Sequence, residues 1–302
     1  MIINAKLILA SLVLLGSNSC ASAPQTPSPW AASNPDWVER VEPFKIYDDI
    51  YYVGTRGLAS YLIATPQGHF LIDGGLPENA EIIAENIAAL GFDVGEVKYL
   101  LNSHAHFDHS GGLAALKKMS GAIMVSSEGD KWALETGLVP GSEDDANYAA
   151  PPVKVDRTIG DNETLALGGV SLTAHLTPGH TKGCTSWTMR TDGQFAHAFD
   201  VLFFCSASVA ANRLVASKAG PPQYEGIVED YRATFAKTRG WRPDIFLANH
   251  PVFFDMEKKR ARQISGVEQA FVDPNGFQEL MKKLETAFEK SLAEQTAAAA
   301  EQ

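Results

Sequence analysis

Leu100-Leu101-Asn102-Ser103-His104-Ala105-His106-Phe107-Asp108-His109-Ser110-Gly111-Gly112 is the stretch on which the reading of this chain turns. An apolar run enters three histidines and an aspartate packed into six positions, and paired glycines then open the next segment. Residues 97–101 have the short, β-rich character of a strand, and alternation past its end places His104 and His106 on one side. Imidazole and carboxylate are ligands that Zn²⁺ accepts readily. Asp108 and His109 lie beyond the strand end, free to turn toward a second ion. A lone histidine in an apolar region is ordinarily a satisfied core group. Four such groups crowded at one strand end would be costly to bury unless a cation shared their lone pairs.

Two more histidines stand in similar contexts. His180 follows the strand-like run 172–176 in Thr177-Pro178-Gly179-His180-Thr181, and His250 follows the run 245–248 in Ala248-Asn249-His250-Pro251. At strand-to-loop transitions, side chains from separate strands can converge. Beside the first cluster, the ligand reading of both dominates. His69, His175 and His197 sit within strand-like runs and need no functional account.

Outward from these points the chain breaks into short runs punctuated by Gly and Pro. Strands are expected at 50–54, 60–64 and 69–73. A helix follows over 79–90, with Ile82, Ile83, Ile87 and Leu90 on one side, then a strand at 97–101 and a helix at 112–119. After Pro152 come strands around Val155 and at 164–167, 170–176, 185–189 and 194–199. A helix at 227–237, a strand at 245–248, and helices around Lys258 and over 277–293 close the chain. The acidic, Gly- and Pro-containing segment 137–152 reads as a long loop near the site mouth. Residues 24–36 read as a mobile leader and 297–300 as a frayed tail. Two halves, each ending in a helix, imply sheets packed face to face with helices outside.

The formal charge of −11 over 302 residues repels nucleic acid and anionic lipid surfaces, which points to a small-molecule substrate. Lys6, the apolar run 7–16 and the small residues through Ala21-Ser22-Ala23 describe a secretory signal peptide over 1–23. Its apolar part is too short to span a bilayer. Residues 24–302 then form one domain, expected in the periplasm. Lys6 is the only charge removed, so the mature formal charge is −11 − 1 = −12. Cys20 leaves acylation at that cysteine as an alternative. Cys184 and Cys205 would meet an oxidising compartment. Both sit in apolar, strand-like surroundings where packing accounts for them, so they are expected unbridged.

His-Ala-His-Phe-Asp-His at 104–109, Thr-Pro-Gly-His at 177–180 and the late His250 together resemble the signature of the metallo-β-lactamase superfamily. The resemblance covers nearly all of the chain after residue 23. It implies an α/β protein, a single-domain αββα sandwich with a dinuclear zinc site between the sheets. It implies further that His104, His106 and His180 hold one zinc and that Asp108, His109 and His250 hold the other. His109, where the first class B subclass has an arginine, is similar to the third subclass, as are the serines near the later position and Phe271-Val272-Asp273-Pro274. Cys205 lies close to where the first subclass has a cysteine ligand. Asp73 is similar to a position that supports the ligands; it also reads simply as a turn aspartate before two glycines. Ser206 and Ser208, followed by Asn212-Arg213-Leu214, resemble the stretch that binds the carboxylate of a β-lactam. Phe107 and Trp132 are candidates for apolar wall.

The reaction implied is hydrolysis of the β-lactam amide, carbapenems included, by hydroxide held between two zinc ions and oriented by Asp108. The rival within the same fold is a glyoxalase II-like thioesterase or a lactonase, in which an aspartate in a Gly-Asp-x-Leu-Phe context spans both metals. Phe199-Asp200-Val201-Leu202-Phe203 imitates that pattern without the glycine. A secreted zinc-binding protein without turnover is a third reading. An open coordination position argues against it, because structural zinc sites are closed by four protein ligands.

Overall fold

The computed structural model describes residues 28–191 and 197–301, so the expected signal peptide lies outside the described residues. A short helix, α1 (Pro29–Ser33), leads into a seven-stranded sheet laid out in chain order. Its strands are β1 (Phe44–Tyr47), β2 (Ile50–Tyr52), β3 (Tyr61–Thr65), β4 (Gly68–Ile72), β5 (Val97–Leu101), β6 (Ile123–Ser127) and β7 (Arg157–Ile159). Neighbours are antiparallel from β1 to β4 and parallel from β4 to β7. The change of sense follows from the connections. Hairpins suffice for the first strands, whereas a parallel return needs a crossover, supplied by α2 (Asn79–Ala89) between β4 and β5. After β5 come α3 (Phe107–Ser110) and α4 (Leu113–Ser120), and after β6 comes α5 (Glu128–Thr136).

The second sheet has five strands in the order β12-β11-β10-β9-β8. They are β8 (Thr164–Leu167), β9 (Val170–Leu176), β10 (Thr185–Arg190), β11 (Asp200–Phe204) and β12 (Ile245–Ala248). The helices α6 (Ile227–Thr238), α7 (Met256–Ile264) and α8 (Gly276–Ala300) complete the chain.

Alternation along the strands sorts the core into layers. Tyr61 and Ile63 of β3, Phe70 and Ile72 of β4, Leu101 of β5 and Val125 of β6 face the second sheet and meet Leu172, Trp187 and Phe203. Leu62, Leu71, Leu100 and Met124 point the other way, onto Ile83 and Ile87 of α2 and Leu113 and Leu116 of α4. Phe277 of α8 packs against Phe204 and Phe246 on the outer side of the second sheet. Two sheets between helical layers make the αββα sandwich.

Several expectations are corrected. Residues 192–196 lie outside the described residues, and 197–199 are not strand, so the strand expected at 194–199 begins instead at Asp200. The strand expected around Val155 is β7, starting two residues later at Arg157. The alanine-rich tail is helical through Ala300, in keeping with alanine's high helix propensity. Pro29–Trp37 is folded onto the protein, not a loose leader, because Trp30 and Trp37 bury their rings against Phe107. Among the described residues, no helix is long and apolar enough to cross a membrane.

Candidate metal centre

The ends of β5 and β12 and the turn between β9 and β10 meet at one edge of the sandwich, and each delivers histidine. His104 and His106 leave the end of β5, Asp108 and His109 ride on α3, His180 sits in the β9–β10 turn and His250 follows β12. The position of α3 depends on glycine. A Cβ on Gly112 would fall 2.3 Å from the Gly74 carbonyl oxygen, so the loop after β4 and the start of α4 touch backbone to backbone.

All six candidates come together, in two sets. His180 Nε2 lies 3.1 Å from His104 Nε2 and 3.1 Å from His106 Nδ1. Asp108 Oδ2 lies 3.2 Å from His109 Nε2 and 3.4 Å from His250 Nε2, and those two nitrogens are 3.2 Å apart. Backbone carbonyls select the tautomers. His180 Nδ1–H donates to Ser208 O at 2.7 Å and His250 Nδ1–H to Gly57 O at 3.2 Å, so each Nε2 is left with a lone pair turned inward. One lone pair cannot serve two N–H donors well, whereas three lone pairs on one cation is the arrangement zinc takes. An all-imidazole set beside a carboxylate–diimidazole set fits that metal.

The electrostatics agree for the all-imidazole set and for Asp108. Burial holds His104 and His180 well below the usual imidazole range, reinforced by neighbouring imidazoles, and holds His106 down at about 4. These rings are therefore neutral and able to ligate at neutral pH. Burial pushes the Asp108 carboxyl up, but His109 and His250 outweigh it and hold it well below its ordinary value. Burial pushes His109 down, and Asp108 overcomes it and raises it. Asp73 Oδ1 accepts from Ser103 N at 2.7 Å and Asn102 Nδ2 at 3.1 Å, while Oδ2 faces His109 Nδ1 at 3.9 Å. Its backbone sits at φ +62°, a left-handed conformation costly for a non-glycine residue, so this is a turn aspartate whose carboxylate also braces the ligand loop.

The remaining candidates divide. Ser208 lines a cleft of about 710 Å³ over the cluster, together with Trp30, Trp37, Phe107 and Tyr148. Ser206 is buried, its hydroxyl 3.2 Å from that of Ser208. Segment 137–152 does run along the mouth, through Gly141 to Asp145. Trp132 points to solvent from α5, 48% exposed, and is no part of the wall. Cys184 and Cys205 form a disulfide. They were expected free because packing explained them, but adjacent β10 and β11 bring their Cα atoms to 5.9 Å, so apolar burial and bridging coincide. The bridge lies under the site, Cys205 Sγ 3.7 Å from His104 Nδ1, and leaves no thiol among the described residues to act as a ligand.

Sequence reasoning passed over Trp30, Trp37 and Asp130, and it placed Asn212 only in the stretch that resembles a carboxylate-binding one. Trp30 and Trp37 are remote in sequence. Asn212 holds the His180 loop through its carbonyl at 2.9 Å. Asp130, near the start of α5, carried no spacing signal, yet it accepts from Ala105 and Thr181 in the ligand-bearing loops.

Fold and donor set define a class, and comparison agrees. A sequence profile of the metallo-β-lactamase superfamily matches residues 53–203, half of the chain, and the chain belongs to that superfamily. Its solved relatives include BJP-1, a subclass B3 metallo-β-lactamase of Bradyrhizobium japonicum, 47% identical, covering 87% of this chain and 98% of that one with a TM-score of 0.83. They also include the FEZ-1 metallo-β-lactamase of Legionella gormanii, 35% identical, covering 85% and 98% with a TM-score of 0.79. Its curated relatives include more distant enzymes of other activities. The N-acyl homoserine lactonase AttM of Agrobacterium fabrum is 27% identical over 43% of this chain and 58% of its own length. A hydroxyacylglutathione hydrolase of Rhodospirillum rubrum is 29% identical over 46% and 45%. The chain thus spans 39% to 58% of the length of such curated relatives.

Proposed function

We propose that this protein hydrolyses the amide bond of β-lactams, carbapenems included, with two zinc ions held by His104, His106, His180 and by Asp108, His109, His250, after export to the periplasm. The observation that carries the reading is the composition of the cluster: five imidazoles and one carboxylate. A thioesterase or lactonase of this fold needs a second aspartate across both metals, and the candidate for it is Asp200. That residue opens β11 and pairs with Arg190 at 2.7 Å, while the site lies beyond the strand's other end at Phe204. Four residues of strand put it about 13 Å away. The high identity to a subclass B3 enzyme supports the same substrate class. The Cys184–Cys205 bridge supports an oxidising compartment.

When bound, the metals supply Lewis-acid polarisation of the scissile carbonyl and ready ionisation of water at neutral pH. The chain does the rest. Asp108, held ionised at the cleft floor, accepts the hydrogen bond that orients the attacking water. Ser208 offers its hydroxyl to the substrate carboxylate. Trp30, Trp37 and Phe107 wall the cleft with apolar surface that excludes bulk water and receives apolar substituents.

Turnover of a carbapenem and of a thioester, measured on the purified protein with and without a strong chelator, tests the reading. Carbapenem turnover that chelator abolishes, with about two zinc ions per chain by metal analysis, is expected. Thioester or lactone turnover without β-lactam turnover would move the substrate assignment to the rival, and one ion or none at saturating zinc would end the dinuclear account.

A further inference from the structure

We propose that Asp130 is a positioning residue that locks the His104–His106 loop and the His180 loop together at the spacing one metal ion requires. The inference rests on the metal-dependent reading of the site. It concerns a residue that touches neither ligand nor cleft.

Asp130 is almost wholly buried, yet no lysine, arginine or histidine lies within ion-pair reach of it among the described residues. Its neutralisation comes from three hydrogen bonds. Oδ2 accepts from Ala105 N and from Thr181 Oγ1, both at 2.9 Å, and Oδ1 accepts from Gly183 N at 2.9 Å. Ala105 lies between His104 and His106, and Thr181 directly follows His180. One carboxylate thus joins the two loops that carry the all-imidazole set, loops that lie more than seventy residues apart in sequence. A buried carboxylate without a cation is expensive. Burial holds this one up at about 6, against the pull of its three donors. Packing alone would be served by an apolar residue at lower cost, so the chemistry must be wanted for its directionality.

The contact is also made tight. A Cβ on Gly183 would fall 2.2 Å from Asp130 N and 2.5 Å from Asp130 Cγ, so the turn rests on the first turn of α5 with no side chain between. Ser127 Oγ holds the other side of the same residue, donating to Gly183 O at 2.6 Å. With zinc–nitrogen distances confined to about 2.0–2.1 Å, a small shift of one loop relative to the other splits the ligand set. An amide at 130 cannot substitute. Whichever oxygen becomes NH₂ confronts a backbone N–H, Gly183 N in one orientation and Ala105 N in the other, so at least one of the three contacts is lost whichever way the amide turns.

The test compares the mature protein with Asp130→Asn, with Thr181→Val, which removes a single donor, and with Glu128→Gln, an exposed carboxylate in the same turn. Zinc affinity is read by competition with a chromophoric chelator. The ligand field is read from the absorption spectrum after Co²⁺ loading, and folding from thermal unfolding of the metal-free protein. Asp130→Asn should weaken zinc binding on the order of 10–100-fold and alter the Co²⁺ bands, the scale seen when partners of metal ligands are lost. Thr181→Val should do so to a lesser degree, and Glu128→Gln not at all. Zinc affinity and Co²⁺ bands like wild type in Asp130→Asn, with only the unfolding temperature lowered, would overturn the inference. If Asp130→Asn does not fold, Thr181→Val decides by the same two readouts. A parent protein that binds no zinc would overturn the metal-dependent reading, and with it this one.

Discussion

At the scale of single residues, Asp108 and Ser208 make the sharpest contrast in the site. Asp108 sits among imidazoles that hold it ionised, and the proposed chemistry uses that charge at the reacting centre. Asp108→Ala should lower kcat by at least ~100-fold, as loss of an orienting or electrostatic group does. Far-UV circular dichroism should be unchanged. Equal turnover in the variant would remove Asp108 from the mechanism. Ser208 lines the cleft beside His180, its hydroxyl 3.4 Å from His180 Nδ1. On the proposed reading that hydroxyl meets the substrate carboxylate and so contributes to binding substrate and transition state alike. A charge-assisted hydrogen bond is worth about 1.5–3 kcal/mol, so Ser208→Ala should raise KM roughly tenfold with kcat little altered. A fall in kcat at constant KM would place Ser208 in the reaction itself. All six cluster residues were legible: His104, His106, Asp108 and His109 crowd one strand end, and His180 and His250 each follow a strand-like run whose end can bring them to the same place. The two serines were less legible, since alternation suggested both on the cleft while the chain leaves β11 with Ser206 turned inward.

Among elements, the strands read well from the sequence where both neighbours left a pattern. Val97–Leu101 and Ile245–Ala248 run straight from short apolar stretches into a histidine loop. The elements that misread depend on partners far along the chain. Pro29–Trp37 looks like linker until Phe107 is beside it, and then two tryptophans become cleft wall. The Phe271–Pro274 run is similar in kind, because its purpose is visible only against α7. There Lys259, 5% exposed, meets Asp273 at 3.0 Å, and Asp273 also accepts from Gly276 N at the start of α8. The two partners are unequally buried, so their removal should cost unequal amounts. Asp273→Asn strands a buried ammonium, at about 3–5 kcal/mol, whereas Lys259→Met leaves a carboxylate that still reaches solvent, at about 1–2 kcal/mol. Burial pushes the Asp273 carboxyl up, but Lys259 outweighs it and holds it below the usual carboxylate range. Its contribution is therefore present above the unfolded value of about 4 and lost as pH falls through the lower folded value. Urea unfolding at neutral pH should rank the variants in that order, with the deficit of Asp273→Asn shrinking in acid. Equal losses would mean that the pair contributes through packing alone.

For the molecule as a whole, the cross-link between Cys184 and Cys205 ties stability and site together. It joins the start of β10 to the residue after β11, neighbours in the second sheet that are also held by a ladder of backbone pairs. A sequence separation of 21 closes a loop whose chain-entropy contribution is about 3 kcal/mol. In a chain of this size each kcal/mol moves the unfolding temperature by about 2–4 °C, so losing the bridge should lower it by roughly 6–12 °C. The bridge also lies beneath His104, but it is not what places that ring. Thr185 N donates to Ser103 O at 2.8 Å and Ser103 Oγ lies 3.1 Å from His104 Nδ1, so the loop stays anchored to β10 without the sulfurs. Stability and activity should then separate. Cys184→Ala with Cys205→Ala should melt lower by that amount, respond no further to a reductant, and keep kcat within about twofold at temperatures well below its melt. The parent protein in reductant should approach the same melting temperature. A double variant that melts like the parent would show that the bridge contributes no net stability, its restraint of the unfolded chain being offset in the folded state. A double variant that keeps its melting temperature but loses zinc would show that the sulfurs, not the Ser103 contacts, hold His104 in register.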